Sequence, residues 1–257
     1  MYETLTIHRD DRDVQYVAMN RPAKRNALSA QMIADLTDMA KSVPTGTRAV
    51  VLSGEGSVFC AGGDLDWMQD QINADRATRM AEARKLAMML DALNTLPAPL
   101  IGRIHGGAFG GGVGMACVCD VAVAATDCKF GLTETRLGLI PATIGPYVLA
   151  RLGEGNARRV FMSARVFGAT EAATLGICTR PVDADALDAA VECEVAPYLK
   201  TYPQAVARAK TLARSIGPRI DSAVIDACIE ALADTWETEA AAEGIAEFLS
   251  NSEGRAR

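Results

Sequence analysis

The apolar and polar positions in the first half of the chain follow two different periods. Residues Thr4–Arg9 and Val14–Met19 have β-type character and flank a turn of three aspartates and one arginine, which predicts a hairpin. Short apolar runs at 48–53, 100–105 and 121–125 then alternate with longer stretches in which apolar residues recur every three or four positions. Because strands that alternate with helices are typical of parallel βαβ units, an α/β body is predicted.

Beyond Gly145 the pattern is predominantly helical. Helices are predicted near 146–163, 170–176, 185–198, 203–215 and 221–249. The last of these has an apolar stripe that includes Ile225 and Trp236, and it carries seven acidic and no basic residues between Asp226 and Glu247. A packed stripe with a solvated acidic face accounts for this composition and implies no partner.

Composition and charge narrow the function classes. The 257 residues are 49% hydrophobic and 23% charged, which favours one large globular domain, with or without a small appendage, over disorder. A net charge of -6 gives no overall attraction to nucleic acid. The longest uncharged stretch, 104–119, is too short and too rich in glycine to span a bilayer, and the charged N-terminus has no apolar signal region. We therefore expect a soluble, cytoplasmic protein with no nucleic-acid or membrane partner.

The cysteine and histidine content disfavours several kinds of chemistry. The seven cysteines are scattered and contain no Cys-x-x-Cys pair, which favours reduced thiols over disulfides. Cys60 has no evident base beside it and is expected to be a small apolar filler rather than a nucleophile. With two histidines in the whole chain, no His-based metal site or Ser-His-Asp triad is expected.

Glycine is clustered in Phe59–Leu65 and His105–Gly114, and neither cluster fits the P-loop or dinucleotide-binding motif. Both follow the carboxyl ends of predicted neighbouring strands, where ligands bind in open α/β sheets and where glycine lets a ligand approach backbone N–H groups. The second cluster also opens a predicted helix, whose free amides would face an anion such as an enolate. Two converging N–H donors would form an oxyanion hole, although tight packing alone would also require such glycines.

Glu134 is a candidate for proton transfer. It lies twenty residues beyond the second cluster, in the mostly apolar stretch Thr133–Pro141. A partly desolvated carboxyl has a raised pKa, which suits an acid or base at neutral pH. A surface glutamate paired with Arg136 would account for the spacing equally well.

Four motifs of the sequence resemble the crotonase (enoyl-CoA hydratase/isomerase) superfamily, and their order and spacing extend the resemblance over nearly the whole chain. The motifs are Asn20–Leu28, Phe59–Leu65, Gly106–Gly114, and Glu134 with Leu137–Pro141. The run Arg136–Ile144, together with His105–Gly114, is most similar to bacterial methylglutaconyl-CoA hydratases and the related isohexenylglutaconyl-CoA hydratases.

The resemblance implies an α/β fold of the crotonase type, a ββα superhelix with a helical C-terminal trimerisation region. The core with the active site would occupy 1–195, and the oligomerisation region would occupy 196–257. The assembly would be a homotrimer or a hexamer formed as a dimer of trimers.

The resemblance also assigns roles to individual residues. Gly63 and Gly111 would supply the two oxyanion N–H donors, and Glu134 would be the catalytic acid. Coenzyme A would enter as part of the substrate, an acyl-CoA thioester, and no cofactor would be bound permanently. The implied substrate-binding residues are Lys24, Arg25 and Ala27 at coenzyme A, and Ala61, Asp64 and Leu65 at the bound thioester and pantetheine.

Gly114 departs from the family pattern, because two-glutamate hydratases carry a carboxylate at this position. Either Glu134 alone handles both protons of a syn hydration, or another group helps to activate water, or the reaction needs one carboxylate, as in a Δ3,Δ2-enoyl-CoA isomerase. A catalytically silent acyl-CoA-binding protein is a further alternative. The similarity around Arg136–Ile144 favours a hydratase of a branched or carboxylated 2-enoyl-CoA, of the methylglutaconyl-CoA type, in leucine or terpene catabolism.

A glutaconyl-type substrate carries a second, distal carboxylate that a cation should meet. The candidates in the sequence are Arg79, Arg84, His105 and Arg136, and the sequence does not choose between them. For His105, a hydrogen-bonded structural role at the end of a strand is the favoured interpretation.

Overall fold

The computed structural model describes residues 2–255, with side-chain surroundings up to residue 250, and the strands form two sheets. The strands are β1 (Leu5–Arg9), β2 (Val14–Met19), β3 (Ala49–Gly54), β4 (Leu100–Ile104), β5 (Gly107–Phe109), β6 (Val121–Ala124), β7 (Lys129–Gly131) and β8 (Val166–Gly168). The α-helices are α1 (Ala30–Lys41), α2 (Leu65–Asn73), α3 (Arg76–Thr95), α4 (Gly111–Val118), α5 (Gly145–Phe161), α6 (Ala169–Leu175), α7 (Leu187–Val195), α8 (Pro203–Ile216), α9 (Ser222–Trp236) and α10 (Glu239–Arg255). Within these residues, no helix is both long and apolar enough to cross a membrane.

The larger sheet has the strand order β1-β2-β3-β4-β6. Strands β1 and β2 form the predicted antiparallel hairpin, with Leu5 opposite Met19, and the remaining pairs are parallel. The smaller sheet, β5-β7-β8, consists of strands of three residues each, which the sequence pattern did not predict. Strand β5 begins just beyond the carboxyl end of β4, so the smaller sheet starts at the edge where the glycine clusters lie.

The larger sheet buries apolar side chains on both faces. Val50 and Leu52 of β3 belong to the main core with residues of α1, α3 and α4, whereas Ala49 and Val51 belong to a second cluster with α7. Successive residues of a strand point to opposite faces, so a strand covered on both sides requires a continuous apolar run.

The C-terminal helical segment differs from the prediction. Instead of one helix over 221–249, two helices meet at Glu237 and Thr238. The Glu237 amide donates to the carbonyl of Asp234 at 3.3 Å and closes α9, and the Thr238 hydroxyl oxygen accepts the Ala241 amide at 3.2 Å and caps α10. The prediction of a single helix is therefore wrong, because a threonine cap interrupts an otherwise continuous apolar stripe.

Helix α9 is fixed against α3 by apolar packing and by ion pairs. Ile225 and Ile229 are buried against two alanines of α3. Arg76 of α3 contacts Asp234 at 2.7 Å, and Arg84 pairs with Asp226. Part of the acidic face of this helix is thus used in exposed ion pairs with α3.

Candidate active site

Two isolated β-bridges hold the first glycine-rich segment in place. A parallel bridge between Cys60 and Ala108 joins it to β5, and the Phe109 amide donates to the Cys60 carbonyl at 3.0 Å. A second bridge, between Leu28 and Gly63, joins it to the chain that leads into α1. The bridges thereby bring the two glycine clusters to one edge of the molecule.

These segments line a cavity of about 450 Å³ with a mostly apolar wall. Four of the residues predicted to act in the site lie on its wall, namely Ala61, Gly63, Gly111 and Glu134. The other residues of the wall are Gly62, Trp67, Met68, Ala83, Leu86, Phe109, Gly110, Thr133, Arg136, Leu137, Leu139, Ile140, Pro141, Thr143, Ile144, Leu232, Trp236 and Phe248.

The amides of Gly63 and Gly111 are available to a ligand. Among residues 2–255, neither amide donates a backbone hydrogen bond to a protein acceptor. Gly111 is the first residue of α4, where the amides have no partner inside the helix and the helix dipole is positive. Both glycines line the cavity that Glu134 also lines, so this wall combines residues with free amides and an acid, the groups that an acyl-transfer or enolate-forming site requires.

Position 110 requires glycine for two reasons, its backbone conformation and the lack of space for a side chain. Its φ of +46° lies in the left-handed region that favours glycine. A Cβ at Gly110 would lie 3.0 Å from Oε1 of Glu134. The absence of a side chain therefore lets the carboxyl group approach the start of α4.

Glu134 lies in a short 3-10 helix, Glu134–Leu137, that follows β7. Its Oε2 is shielded from solvent and has no hydrogen-bond partner among the described residues. Burial raises the pKa of Glu134 to about 7, against a smaller lowering effect of its own backbone amide. No ion pair joins this carboxylate to Arg136 within the described chain, so the alternative of a surface glutamate paired with Arg136 is wrong.

Helix α10 lies directly on the turn that carries Glu134. A Cβ on Gly244 of α10 would come within 2.7 Å of the carbonyl carbon of Leu137, and one on Gly138 would come within 2.5 Å of the Ala240 backbone. Glycine at both positions allows this close approach, and it brings Phe248 to the cavity.

The cavity wall therefore contains residues from both of the predicted regions of the chain. Leu232, Trp236 and Phe248 come from the region 196–257, and the rest of the wall comes from 1–195. These three residues were not predicted to line the site, because the apolar stripe that contains Leu232 and Trp236 is equally typical of simple helix packing. The boundary between the two regions stays a prediction, but the site is not confined to the first.

The packing around Gly114 leaves no room for a side chain, and so none for a second carboxylate at this position. A Cβ on Gly114 would lie 2.7 Å from Cγ2 and 3.1 Å from Cβ of Ile144, and 3.3 Å from Cδ1 of Leu90. Ile144 itself lines the cavity. Glu134 is the one acidic residue of the described chain on the cavity wall.

The residues predicted to meet coenzyme A lie beside the cavity rather than on its wall. Lys24 and Arg25 are exposed, and the Lys24 Nζ contacts Asp66 at 3.0 Å. Ala27 is buried. The Arg25 carbonyl accepts the amide of Ala61 at 3.0 Å, so the backbone of this basic segment is tied to the cavity wall. The roles of the two cations and of Ala27 stay predictions.

Asp64 and Leu65 also lie outside the cavity wall. The Asp64 carboxylate contacts Arg21 at 2.7 Å and accepts the Asp66 amide at 2.9 Å, which caps α2. Burial raises the pKa of Asp64, but the hydrogen bond and charge of Arg21 outweigh it, so the net pKa is lowered. The carboxylate thus holds the segment that follows Gly63 in position, and its predicted contact with the thioester stays a prediction.

The four candidate cations have different surroundings. Arg79 donates to the carbonyls of Gln71 (2.7 Å) and Ile72 (2.9 Å) and lies over the ring of Trp236. Arg84 is paired with Asp226.

His105 bonds through Nε2 to the Gly56 carbonyl at 2.9 Å and lines a different cavity. Arg136 is the one candidate of the described chain that lines the cavity with Glu134.

Cys60 has the properties of a packed side chain. It is fully buried, and burial raises the pKa of its thiol to about 12. A thiol with such a pKa is protonated at neutral pH and is a poor nucleophile.

Known proteins of one family are similar to this chain over most of its length. A family model described as enoyl-CoA hydratase/isomerase matches residues 9–254. The Mycobacterium tuberculosis protein named probable enoyl-CoA hydratase echA8 is 32% identical over 257 residues, which cover 96% of this chain and 95% of that protein. The enoyl-CoA isomerase/hydratase claC of Penicillium crustosum is 37% identical over 179 residues, and the match covers 67% of this chain but a fifth (20%) of claC.

A solved structure extends the similarity to the fold. Pseudomonas aeruginosa AtuE is 34% identical, with a TM-score of 0.79 and coverage of 97% of each chain. The predicted α/β crotonase-like fold is thereby confirmed. The match over nearly the whole chain and the cavity that contains Glu134 lead to one conclusion: the chain belongs to the enoyl-CoA hydratase/isomerase family of the crotonase superfamily.

Proposed function

We propose that the protein hydrates a 2-enoyl-CoA thioester with Glu134 as the single carboxylate. One observation carries the proposal: Glu134, whose Oε2 is shielded and has no partner among the described residues, lines the same cavity as Gly63 and Gly111, whose amides have no backbone acceptor in that part of the chain. Coenzyme A is part of this substrate, and no permanently bound cofactor takes part.

The two amides stabilise the charge that develops during addition. Hydration places a hydroxyl group on Cβ and a proton on Cα, and negative charge builds on the thioester oxygen between these events. Donors fixed in a cavity of low polarity stabilise this charge without having to reorient. Losing one such donor costs about 3 to 4 kcal/mol of transition-state stabilisation.

Glu134 handles both protons in turn. As a carboxylate it accepts a proton from water while the oxygen of that water bonds to Cβ and the C=C π electrons move toward the thioester. As a carboxylic acid it then returns the proton to Cα, on the same face, and the carboxylate is regenerated. A pKa near 7 leaves both protonation states accessible at neutral pH.

The proposed substrate is a branched or carboxylated 2-enoyl-CoA of the methylglutaconyl type. Support comes from the similarity of Arg136–Ile144 to that group of hydratases and from a cavity that combines an apolar wall with one arginine. Lys24 and Arg25 are proposed to meet the phosphates of coenzyme A, because two adjacent exposed cations suit an anionic cofactor.

A Δ3,Δ2-enoyl-CoA isomerase is the second candidate. The packing of Ile144 and Leu90 around Gly114 favours it, because this reaction needs one carboxylate and no activated water. Glu134 would take a proton from Cα of a 3-enoyl thioester and return it to Cγ, which moves the double bond into conjugation.

Assembly as a homotrimer or hexamer is part of the proposal. Helix α8 has no buried residue in the single chain, and its Leu212 and Ile216 are 61% and 80% exposed. Apolar side chains this exposed are consistent with an interface that covers them. Sedimentation equilibrium would distinguish a trimer from a hexamer, and a monomer would contradict both.

A turnover panel tests the reaction. Purified protein is mixed with crotonyl-, methylglutaconyl-, isohexenylglutaconyl- and 3-enoyl-CoA, and the absorbance of the conjugated enoyl thioester is followed. A hydratase removes this absorbance from the 2-enoyl substrates, whereas an isomerase creates it from the 3-enoyl substrate. Binding without turnover of any substrate would indicate a silent acyl-CoA-binding protein.

The variant Glu134→Gln assigns the activity to the site. It keeps the shape of the side chain but removes the base, so either reaction should be abolished. Glu154→Gln is the matched control, because Glu154 is an exposed residue of α5 outside the cavity. Full activity of Glu134→Gln would remove this residue from the mechanism.

A further inference from the structure

We propose that Arg136 is a specificity-determining residue that binds a carboxylate at the distal end of the acyl chain, so that the preferred substrates are thioesters of 2-enedioic acids. The inference rests on the proposed hydratase function and adds the residue that selects the substrate. It begins from the position of Arg136 on the wall of the cavity that also carries Glu134.

The guanidinium group of Arg136 is not used by the protein. Among residues 2–255 it makes no ion pair, side-chain hydrogen bond or ring contact. By contrast, Arg79 is bound to two backbone carbonyls and Arg84 to a carboxylate. Arg136 is also the one cationic side chain of the described residues on this wall.

The guanidinium is not a counter-ion for the catalytic carboxyl. Glu134 has an unpartnered oxygen, and the influences on its pKa are burial and its own backbone amide, with no contribution from Arg136. The two charged groups therefore serve different parts of a ligand, one at the reacting carbons and one elsewhere along the acyl chain.

The backbone of Arg136 is held firmly while its side chain is free. Its amide donates to the Thr133 carbonyl at 3.1 Å, and a Cβ on Gly244 of α10 would lie 3.0 Å from its carbonyl oxygen. The 3-10 helix is thus fixed between β7 and α10. The exposed side chain therefore starts from a fixed point two residues beyond Glu134, and its reach from there is set by its own rotatable bonds.

The chemistry of the group points to a carboxylate. A guanidinium presents a planar set of N–H donors that matches a carboxylate with two parallel hydrogen bonds. The remaining surface around it is largely apolar, with Leu137, Leu139 and Ile140 on the same wall. An acyl chain with an apolar middle and an anionic end fits this arrangement, whereas a neutral chain leaves the guanidinium to water.

The test compares paired substrates that differ by an added terminal carboxylate: crotonyl-CoA with glutaconyl-CoA, and 2-pentenoyl-CoA with 2-hexenedioyl-CoA. The measured quantity is the ratio of kcat/KM for the charged substrate to kcat/KM for the neutral one. In Arg136→Gln this ratio should fall roughly tenfold in at least one pair. This is the lower end of what a hydrogen bond to a charged group contributes, because Arg136 is exposed to solvent. Arg136→Lys should restore part of the ratio, since it keeps the charge but loses the planar pair of donors.

Arg158→Gln is the matched control, because it removes one positive charge from an exposed position of α5 outside the cavity. It should leave the ratio unchanged. An equal fall of kcat/KM for both members of each pair in Arg136→Gln would overturn the proposal, since it would mean that Arg136 meets the phosphates of coenzyme A or supports the fold.

Failure of the proposed function gives a different result. If the wild-type protein turns over none of the four substrates, hydration is refuted, and equilibrium binding of glutaryl-CoA and butyryl-CoA still tests Arg136. A preference for glutaryl-CoA that disappears in Arg136→Gln supports the carboxylate site. Equal affinity of the wild-type protein for both ligands overturns it.

Discussion

Replacing Glu134, the proposed catalytic acid, with an uncharged residue should make the protein more stable, and the gain should depend on pH. Burial raises the pKa of Glu134 from its ordinary value of 4.5 to about 7. The folded state therefore holds this proton more tightly than the unfolded state. The contribution of Glu134 to stability is fully present below pH 4.5 and is lost as the pH rises through about 7.

The size of the effect follows from the two pKa values. A tenfold change in proton affinity is worth about 1.4 kcal/mol, so a pKa change from 4.5 to about 7 costs about 3 kcal/mol above neutral pH. Glutamine has nearly the same shape as a protonated glutamate and does not titrate. Glu134→Gln should therefore unfold like the wild type near pH 4.5 and be more stable by about 3 kcal/mol at pH 8.

Thermal unfolding between pH 4.5 and pH 8 measures this difference. In a chain of this size, about 3 kcal/mol corresponds to a Tm higher by about 6 to 12 °C at the alkaline end. The exposed control Glu154→Gln should show no such trend. A Tm difference between Glu134→Gln and the wild type that is the same at every pH would refute a buried carboxyl with a raised pKa.

Three further predictions concern the same cavity. The kcat/KM for hydration should fall about tenfold for each pH unit below about 7, because protonated Glu134 cannot accept a proton from water; a profile that stays flat down to pH 5 would contradict this. Gly114→Glu should restore no second acid and should lose about 1 to 3 kcal/mol in urea unfolding, because its Cβ would meet Ile144 at 2.7 Å. Gly244→Ala should displace α10 and admit water, so the acid limb of the pH–rate profile should move below pH 7. Gly155→Ala should leave the profile in place, because no atom of the described residues lies within 4 Å of a Cβ at this position.

The elements that sequence patterns predicted well are those whose signal is local. The hairpin and the strands β3, β4 and β6 stand out because a strand buried in a sheet needs an unbroken or alternating apolar run. The strands of the smaller sheet could not be predicted in this way. A strand of three residues, such as Lys129–Gly131, is too short to show an alternating pattern, and only its pairing with neighbouring strands defines it. The break between α9 and α10 at Thr238 was not predicted, because the apolar stripe of α9 continues in α10 with a similar spacing.

The candidate site was predictable to a similar degree. Glycine clusters and an acid in an apolar stretch are visible in the sequence as candidates for a site, and Gly63, Gly111 and Glu134 do line one cavity. The wall formed by Trp236 and Phe248 depends on how α10 folds back onto the turn at Glu134. No local pattern encodes that contact, because it joins residues more than one hundred positions apart.

The packing around Gly114 also constrains how such a site can change over evolutionary time. Because Ile144 and Leu90 occupy the space that a side chain at this position would need, a carboxylate introduced there alone must displace one of them. A second acid at this position therefore requires a matched change in the core, such as a smaller residue at 144, and a single substitution does not supply it.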